Sequence, residues 1–370
     1  MPHKRVLVPL LLAAALPLAL TTPAEAAPRV TVTELPALAG GTSRVIALND
    51  NGQVAGTHSG NTGSRVVLWE NGTPVDLGRG NATAINRLGQ VLGLESWSGG
   101  GTYQQHPRLW HNGTTTNLAP SGAGWVIATA INSNGDVPMT YSRSPYGYHQ
   151  EASAVWKTGG HVELPMSGPH LGISVINDRG LVAGTQTAMF GDAKSAFRCQ
   201  DGSCSGLAAV AGTGPYAVVA VNESGVIVGN RDNQPLRWQG TTVTVLPGGV
   251  GAVASSPQAV NECGDIVGWT QDASGVRRAT VWRGGRQVVL NVPGPAEATA
   301  INDAGDIIGY SSATGQQRAF LWRHGRVVDL GTLGGATSSP VALNNNGTVV
   351  GTSTNADGSA RAVKWQVRGR

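Results

Sequence analysis

Apolar residues along this chain come in short runs, β-branched or alternating with polar residues, and the runs are separated by turns rich in Gly and Asn. The stretch from Ala300 to Gly331 shows the order. An apolar approach, Ala300-Ile301, leads into Asn302 and a three-residue turn, and the run Asp306-Ile307-Ile308-Gly309 follows. After a variable loop comes an alternating segment ending in tryptophan, Arg318-Ala319-Phe320-Leu321-Trp322. A short Gly turn then leads to Val327-Val328-Asp329-Leu330-Gly331. Runs of this length and period, bounded by such turns, predict four strands, here called a, b, c and d.

The same unit is written eight times, anchored by an Asn with a Gly three residues on: Asn49/Gly52, Asn86/Gly89, Asn132/Gly135, Asn177/Gly180, Asn222/Gly225, Asn261/Gly264, Asn302/Gly305 and Asn344/Gly347. A second Gly lies seven after the Asn in every copy except the third, where Met139 stands. Anchors are spaced by 37 to 46 residues, which suits four short strands with their turns. An Asn side chain accepts from backbone amides of a turn, and Gly suits the position after it, so the Asn reads as a turn-former rather than a ligand or catalyst.

The two ends complement each other. The last unit stops after its strand c, Ala362-Val363-Lys364-Trp365-Gln366, while Val30-Thr31-Val32-Thr33-Glu34-Leu35 ahead of the first Asn resembles a strand d without a unit. Pairing them would close a ring and remove the open edge that endangers an all-β protein. The expectation is an all-β, eight-bladed β-propeller of four antiparallel strands per blade, closed by its amino-terminal strand.

Composition narrows the setting. Lys4 and Arg5, an apolar stretch from Val6 to Leu20 and Ala24-Glu25-Ala26 read as a signal peptide over residues 1–26, leaving 27–370 as one secreted domain. The apolar stretch is too short to span a bilayer, so no membrane insertion is expected. Loss of Lys4, Arg5 and Glu25 lowers the formal charge from +4 to +3, and the remaining cations are scattered, unlike the footprint of a nucleic-acid binder. Glycine, 53 of 370 residues, recurs at fixed places and so is turn chemistry rather than disorder. Cys199 and Cys204 flank the turn Gln200-Asp201-Gly202-Ser203 and are expected to form a disulfide across a hairpin, whereas Cys263 replaces an ordinary turn residue and reads as a bystander.

The segment 318–353, RAFLWRHGRVVDLGTLGGATSSPVALNNNGTVVGTS, resembles the consensus of the HAF repeat, a family of bacterial extracellular repeat proteins. Arg318 stands where the namesake repeat has His, and other copies are looser, as in Ser153-Ala154-Val155-Trp156 and Ala279-Thr280-Val281-Trp282. The resemblance implies export and a repeat fold, and it lends no catalytic residue.

Seven tryptophans, Trp69, Trp110, Trp156, Trp238, Trp282, Trp322 and Trp365, end strand c, and a ring recurring once per blade is suited to filling the wedge between sheets. The fourth unit has Cys199 there, and the disulfide is expected to offset the absent ring. Trp97, Trp125 and Trp269 fall outside the motif. In a four-stranded blade, loops a-b and c-d lie on one face and loops b-c and d-a on the other; the first pair are short and uniform, and all length variation falls in the second. Binding usually resides where a rigid scaffold carries variable loops. The second and third units carry the richest ones, and the candidate ligand-binding residues are Trp97, Tyr103, His106, Trp125, Tyr146, Tyr148 and His149. Exposed rings with polar neighbours suit sugar faces or a protein anchor. Trp269 and Tyr310 occupy equivalent positions at the ends of strands b and read as blade surface.

No nucleophile elbow, zinc-binding helix, phosphate loop or EF-hand spacing occurs, so no catalytic residue, metal or cofactor is assigned. The reading is a monomeric, secreted, non-catalytic binding module for an extracellular glycan or protein. The alternative is a propeller lyase or glycosidase in which Glu95, His106, His149, Glu151 and His170 gather on the same face.

Overall fold

A computed structural model describes residues 28–368 except 100–101, 144–150, 168–170, 188–193 and 250. The strands form eight four-stranded antiparallel sheets in a ring, a β-propeller. Seven blades use consecutive strands, as in Ala296–Ile301, Ile307–Ser311, Arg318–Arg323 and Arg326–Asp329 of blade seven. Blade eight takes three strands from the carboxyl end and its fourth, Arg29–Glu34, from the amino end, with Val32 opposite Trp365. The closure expected from the sequence is therefore present, and no blade lacks its outer strand.

The repeated Asn does more than shape a turn. Each is buried, and its side-chain oxygen accepts backbone amides of its own turn, for example Asp306 N–H to Asn302 Oδ1 at 2.9 Å. Its side-chain nitrogen donates to the backbone carbonyl of the next blade's Asn, at 2.9 to 3.1 Å in all eight blades. One side chain thus meets two demands that buried polar backbone makes, closing a turn and joining neighbouring blades.

The second Gly has a steric cause. In seven blades it stands opposite a β-bulge in strand a, as Gly56 opposite Val45 and Gly309 opposite Ala298. A Cβ on Gly309 would collide with the carbonyl of Glu297 and come within 2.7 Å of the Phe320 ring. Blade three escapes this constraint because its strand a is only Val126–Ile127, which pairs with Tyr141 and Thr140 and leaves Met139 without a strand-a partner. Met139 is fully buried there against Leu92 and Leu109 of blade two.

Strand-c tryptophans pack onto the preceding blade as expected: Trp69 on Val350 and Ala362, Trp365 on Ile308 and Leu321, Trp282 on Val226 and Val228. Burying such a ring contributes on the order of 2–3 kcal/mol. In blade seven Phe320 lies opposite Gly309 and takes the buried site, leaving Trp322 half-buried. Blade four uses the same solution. Phe197, opposite Gly184, packs against Val155 and Leu164 of blade three, so a ring is present although Cys199 stands where tryptophan would. Cys199 and Cys204 face each other across the hairpin and are joined in a disulfide; Cys263 is free and exposed.

Candidate ligand site on the variable-loop face

The face that carries the a-b turns is laced together by bonds between blades around an open central cavity. In six of the eight blades the residue directly after the Asn donates its backbone N–H to the side chain of the next blade's counterpart, as Asp178 N–H to Glu223 at 2.8 Å, Glu262 N–H to Asp303 at 3.0 Å and Asn345 N–H to Asp50 at 2.9 Å. Directly before each Asn stands an aliphatic side chain, half-buried in every blade, from Leu48 and Ile85 round to Ile301 and Leu343. Glu223 is pushed above the usual carboxylate range, first by burial and then by the charges of Asp178 and Glu262. These carboxylates are spent on holding the ring.

The opposite face differs from blade to blade, and blade two departs most in length. The sequence placed 95–106 in a loop, but the chain continues there as a tall hairpin, Val91–Gly99 against Thr102–His111. Trp97 pairs with Gln104 and Tyr103 with Ser98 in that ladder. Their side chains lie outside the described part of the structure, as do Tyr146, Tyr148 and His149 altogether. Glu95 and His106 are cross-strand partners, but Glu95 is engaged by Arg108, Nε to Oε2 at 2.8 Å. His106 is half-buried beside the backbone of Ala123 and Gly124. Burial lowers its pKa below the ordinary histidine value, with the Gly124 backbone pulling the other way. The ring is therefore neutral at pH 7.

Trp125 enters on the segment that passes His106. Gly124 N–H donates to Ser142 O at 3.1 Å and Ser142 N–H to Trp125 O at 3.0 Å, which sets Trp125 opposite Ser142 at the head of blade three. The next pairs along blade three are Ser142 with Glu151 and Thr140 with Ser153. Strand alternation gives these four side chains one face. The other face, with Met139, Tyr141, Ala152 and Ala154, packs on blade two, so the polar column is turned toward blade four. The column is incompletely satisfied: among the described residues Thr140 Oγ1, Ser153 Oγ and Trp125 Nε1 are buried and have no hydrogen-bond partner. The equivalent threonine in blade one, Thr57, accepts Ala82 N–H of blade two at 3.0 Å. On the side toward blade two, Tyr141 donates to Glu163 at 2.7 Å and Arg143 pairs with the same carboxylate at 2.8 Å.

The structure therefore brings His106 and Trp125 together through one loop. The catalytic alternative needs Glu95, His106 and Glu151 free to converge. Glu95 is held by Arg108, Glu151 is turned toward blade four, and His149 and His170 lie outside the described residues. Across the ring, Trp269 is nearly buried beneath the Arg277 guanidinium, 4.0 Å from its ring centre, and Arg277 is paired with Glu297 at 2.7 Å. Burial and Glu297 push the Tyr310 hydroxyl up to about 12. Trp269 and Tyr310 thus belong to an internally paired cluster. Thr140, Ser153, Arg108 and Glu163 were absent from the sequence-derived site, although Met139 in place of Gly had already marked blade three as irregular. Among the described residues no group of His, Cys, Asp or Glu is arranged to hold a metal ion.

Neither a family model nor a curated protein matches the chain. Solved structures do. The β-propeller domain of the Trilobed protease from Pyrococcus furiosus is 11% identical with a TM-score of 0.51, over 78% of this chain and 98% of that one. Porphyromonas gingivalis dipeptidyl peptidase 4 is 8% identical with a TM-score of 0.55, over 82% of this chain, which spans about half (54%) of the peptidase. A streptogramin B lyase structure is 13% identical over 92% of this chain and 98% of its own, with a TM-score of 0.48. Identities this low show a shared β-propeller fold and nothing finer.

Proposed function

We propose that the chain is an exported, non-catalytic recognition module that holds an extracellular glycan or protein on its variable-loop face at blades two and three. The observation that carries this reading is the polar column of blade three. Among the described residues two buried hydroxyls there, Thr140 Oγ1 and Ser153 Oγ, and the N–H of half-buried Trp125 have no hydrogen-bond partner, whereas outside blades two and three only Trp365 Nε1 is in that state. A buried unsatisfied group costs about 1–3 kcal/mol, so each calls for a compensating role or a partner outside the chain. Trp97, Tyr103, Tyr146, Tyr148 and His149 would add the upper contacts, with His106 and Trp125 as the floor. The signal-type amino terminus, the HAF-repeat resemblance and the disulfide support export. Hydrogen exchange of the mature chain, with and without a retained extracellular ligand, tests the placement. Protection in 91–142 is expected, and protection confined to the a-b turns or to blades five to eight would refute it.

A further inference from the structure

We infer that the rim of blades six to eight is a second site, apart from blades two and three, and that it holds an anionic polysaccharide through arginines paired by the fold. Cations are scattered along the sequence, but strand register gathers six of them at one end of three consecutive blades. Arg283 stands directly opposite Arg286 in blade six, Arg323 opposite Arg326 in blade seven and Arg368 opposite Arg29 in blade eight. The first two pairs close c-d hairpins one residue past Trp282 and Trp322; the third lies three residues past Trp365, at the free ends of the closing strands. No like-charged pair closes the hairpins on either side, which have Glu70 opposite Thr73 in blade one and Gln239 opposite Thr242 in blade five. Like charges directly across a ladder destabilise it, so three such pairs side by side call for a counter-charge.

The chain supplies only part of it. Asp265 accepts Arg283 Nε at 2.7 Å, and Asp306 accepts Arg323 through Nε at 2.8 Å and Nη2 at 2.5 Å, whereas blade eight has Thr348 at the corresponding place. These two guanidinium groups lie against the next blade's a-b turn, Arg283 at Gly305 and Arg323 at Gly347, and so join the three blades along this rim. Glu262 and Asp303 line the central cavity and accept backbone amides there. The other carboxylates of these blades are drawn to other cations: Asp272 to Arg278, Glu297 to Arg277, Asp329 to Arg318, and both Glu34 and Asp357 to Arg361. Arg29, Arg286 and Arg368 are exposed and have no acidic partner among the described residues, and Arg326 is exposed as well.

The arrangement selects among anionic partners. Guanidinium forks suit carboxylate, sulfate or phosphate, and sites one blade apart suit a chain that carries such groups repeatedly. A flat anionic bilayer would also meet Asp50, Asp178, Glu262 and Asp303 around the cavity on the same face, which would repel it; a chain that follows the rim avoids them. Single-stranded nucleic acid is held by rings on which its bases stack, but Trp282 and Trp365 are buried and Trp322 is half-buried.

The test titrates the mature full-length chain with polygalacturonate, heparin and dextran, and separately with oligo-dT and phosphatidylglycerol vesicles, at low and high salt. At least one of the two anionic polysaccharides is expected to bind, more weakly as salt rises, and dextran is expected not to bind. Arg29→Thr, Arg286→Thr, Arg326→Thr and Arg368→Thr together are expected to weaken binding at least about tenfold. The melting temperature should stay or rise, since facing like charges are removed. A charge-matched variant at exposed arginines elsewhere, Arg44→Thr, Arg79→Thr, Arg87→Thr and Arg179→Thr, is expected to bind like wild type. Undiminished binding in the rim variant, or equal loss in both variants, overturns the site. Binding of neither anionic polysaccharide, binding indifferent to salt, or tighter binding of oligo-dT or vesicles than of both polysaccharides overturns the partner.

Discussion

Asn344 donates its side-chain amide to the backbone carbonyl of Asn49, 3.1 Å away and 295 residues earlier in the chain. That bond is the eighth of a circle in which every blade holds the next through the same residue. It closes near the channel what the pairing of Arg29–Glu34 with Ala360–Arg368 closes at the rim.

The circle predicts a specific cost. Asn302→Ala removes the bond to Asn344 O and leaves Asp306 N–H without its acceptor, both buried. Two buried groups losing partners should destabilise by about 2–5 kcal/mol. An exposed turn Asn such as Asn71, which has no place in the circle, should cost well under that when changed to Gly, since its φ of 51° suits glycine. Urea denaturation separates the two; equal small losses would mean that the circle contributes nothing.

The bulge and the second Gly make a reciprocal pair of substitutions. Gly309→Ala places a methyl against the Glu297 carbonyl and the Phe320 ring, and should cost at least about 3 kcal/mol or prevent folding. Met139→Gly empties a fully buried side chain opposite no bulge and should cost about 3–5 kcal/mol as a cavity. If Gly309→Ala melted like wild type, the bulge would not be the reason for the glycine.

Much of this was legible in the sequence because the repeat samples the same physics eight times. Asn49 through Asn344 and the bulge glycines cannot change without breaking a turn or causing a clash, so blade number, strand order and ring closure follow from counting. The site resisted reading for the opposite reason. Thr140 and Ser153 are ordinary strand residues by type, and their missing partners are a property of how blade three meets blade four. The hairpin of blade two was misread as a loop because Gly99, Gly100 and Gly101 look like a flexible break, although the residues before Gly99 and after Gly101 pair in register.

Blade four predicts which element replaces the absent tryptophan. Phe197 is 2% exposed between blades three and four, and Phe197→Ala should cost about 3–5 kcal/mol. Cys204→Ser opens a disulfide that bridges a sequence separation of only 5, for which loop-closure entropy gives about 2 kcal/mol. The sequence assigned the compensation to the disulfide; the packing assigns most of it to the ring. Thermal melts in which Cys204→Ser is the more damaging change would reverse that order.

His106 gives the pH dependence a sign. Burial lowers its folded pKa below the unfolded value of about 6.5, so the unfolded chain takes up a proton at a higher pH than the folded one. The stability this group permits is complete above the unfolded pKa and is lost as pH falls through 6.5 toward the lowered folded value. Protonation there would also place a charge beside Arg108, whose own charge already opposes it. His106→Gln removes the titration, so stability of that variant should fall less than wild type between neutral and mildly acidic pH. Parallel denaturation midpoints for the two proteins across that interval would show that His106 is solvated and contributes no such slope.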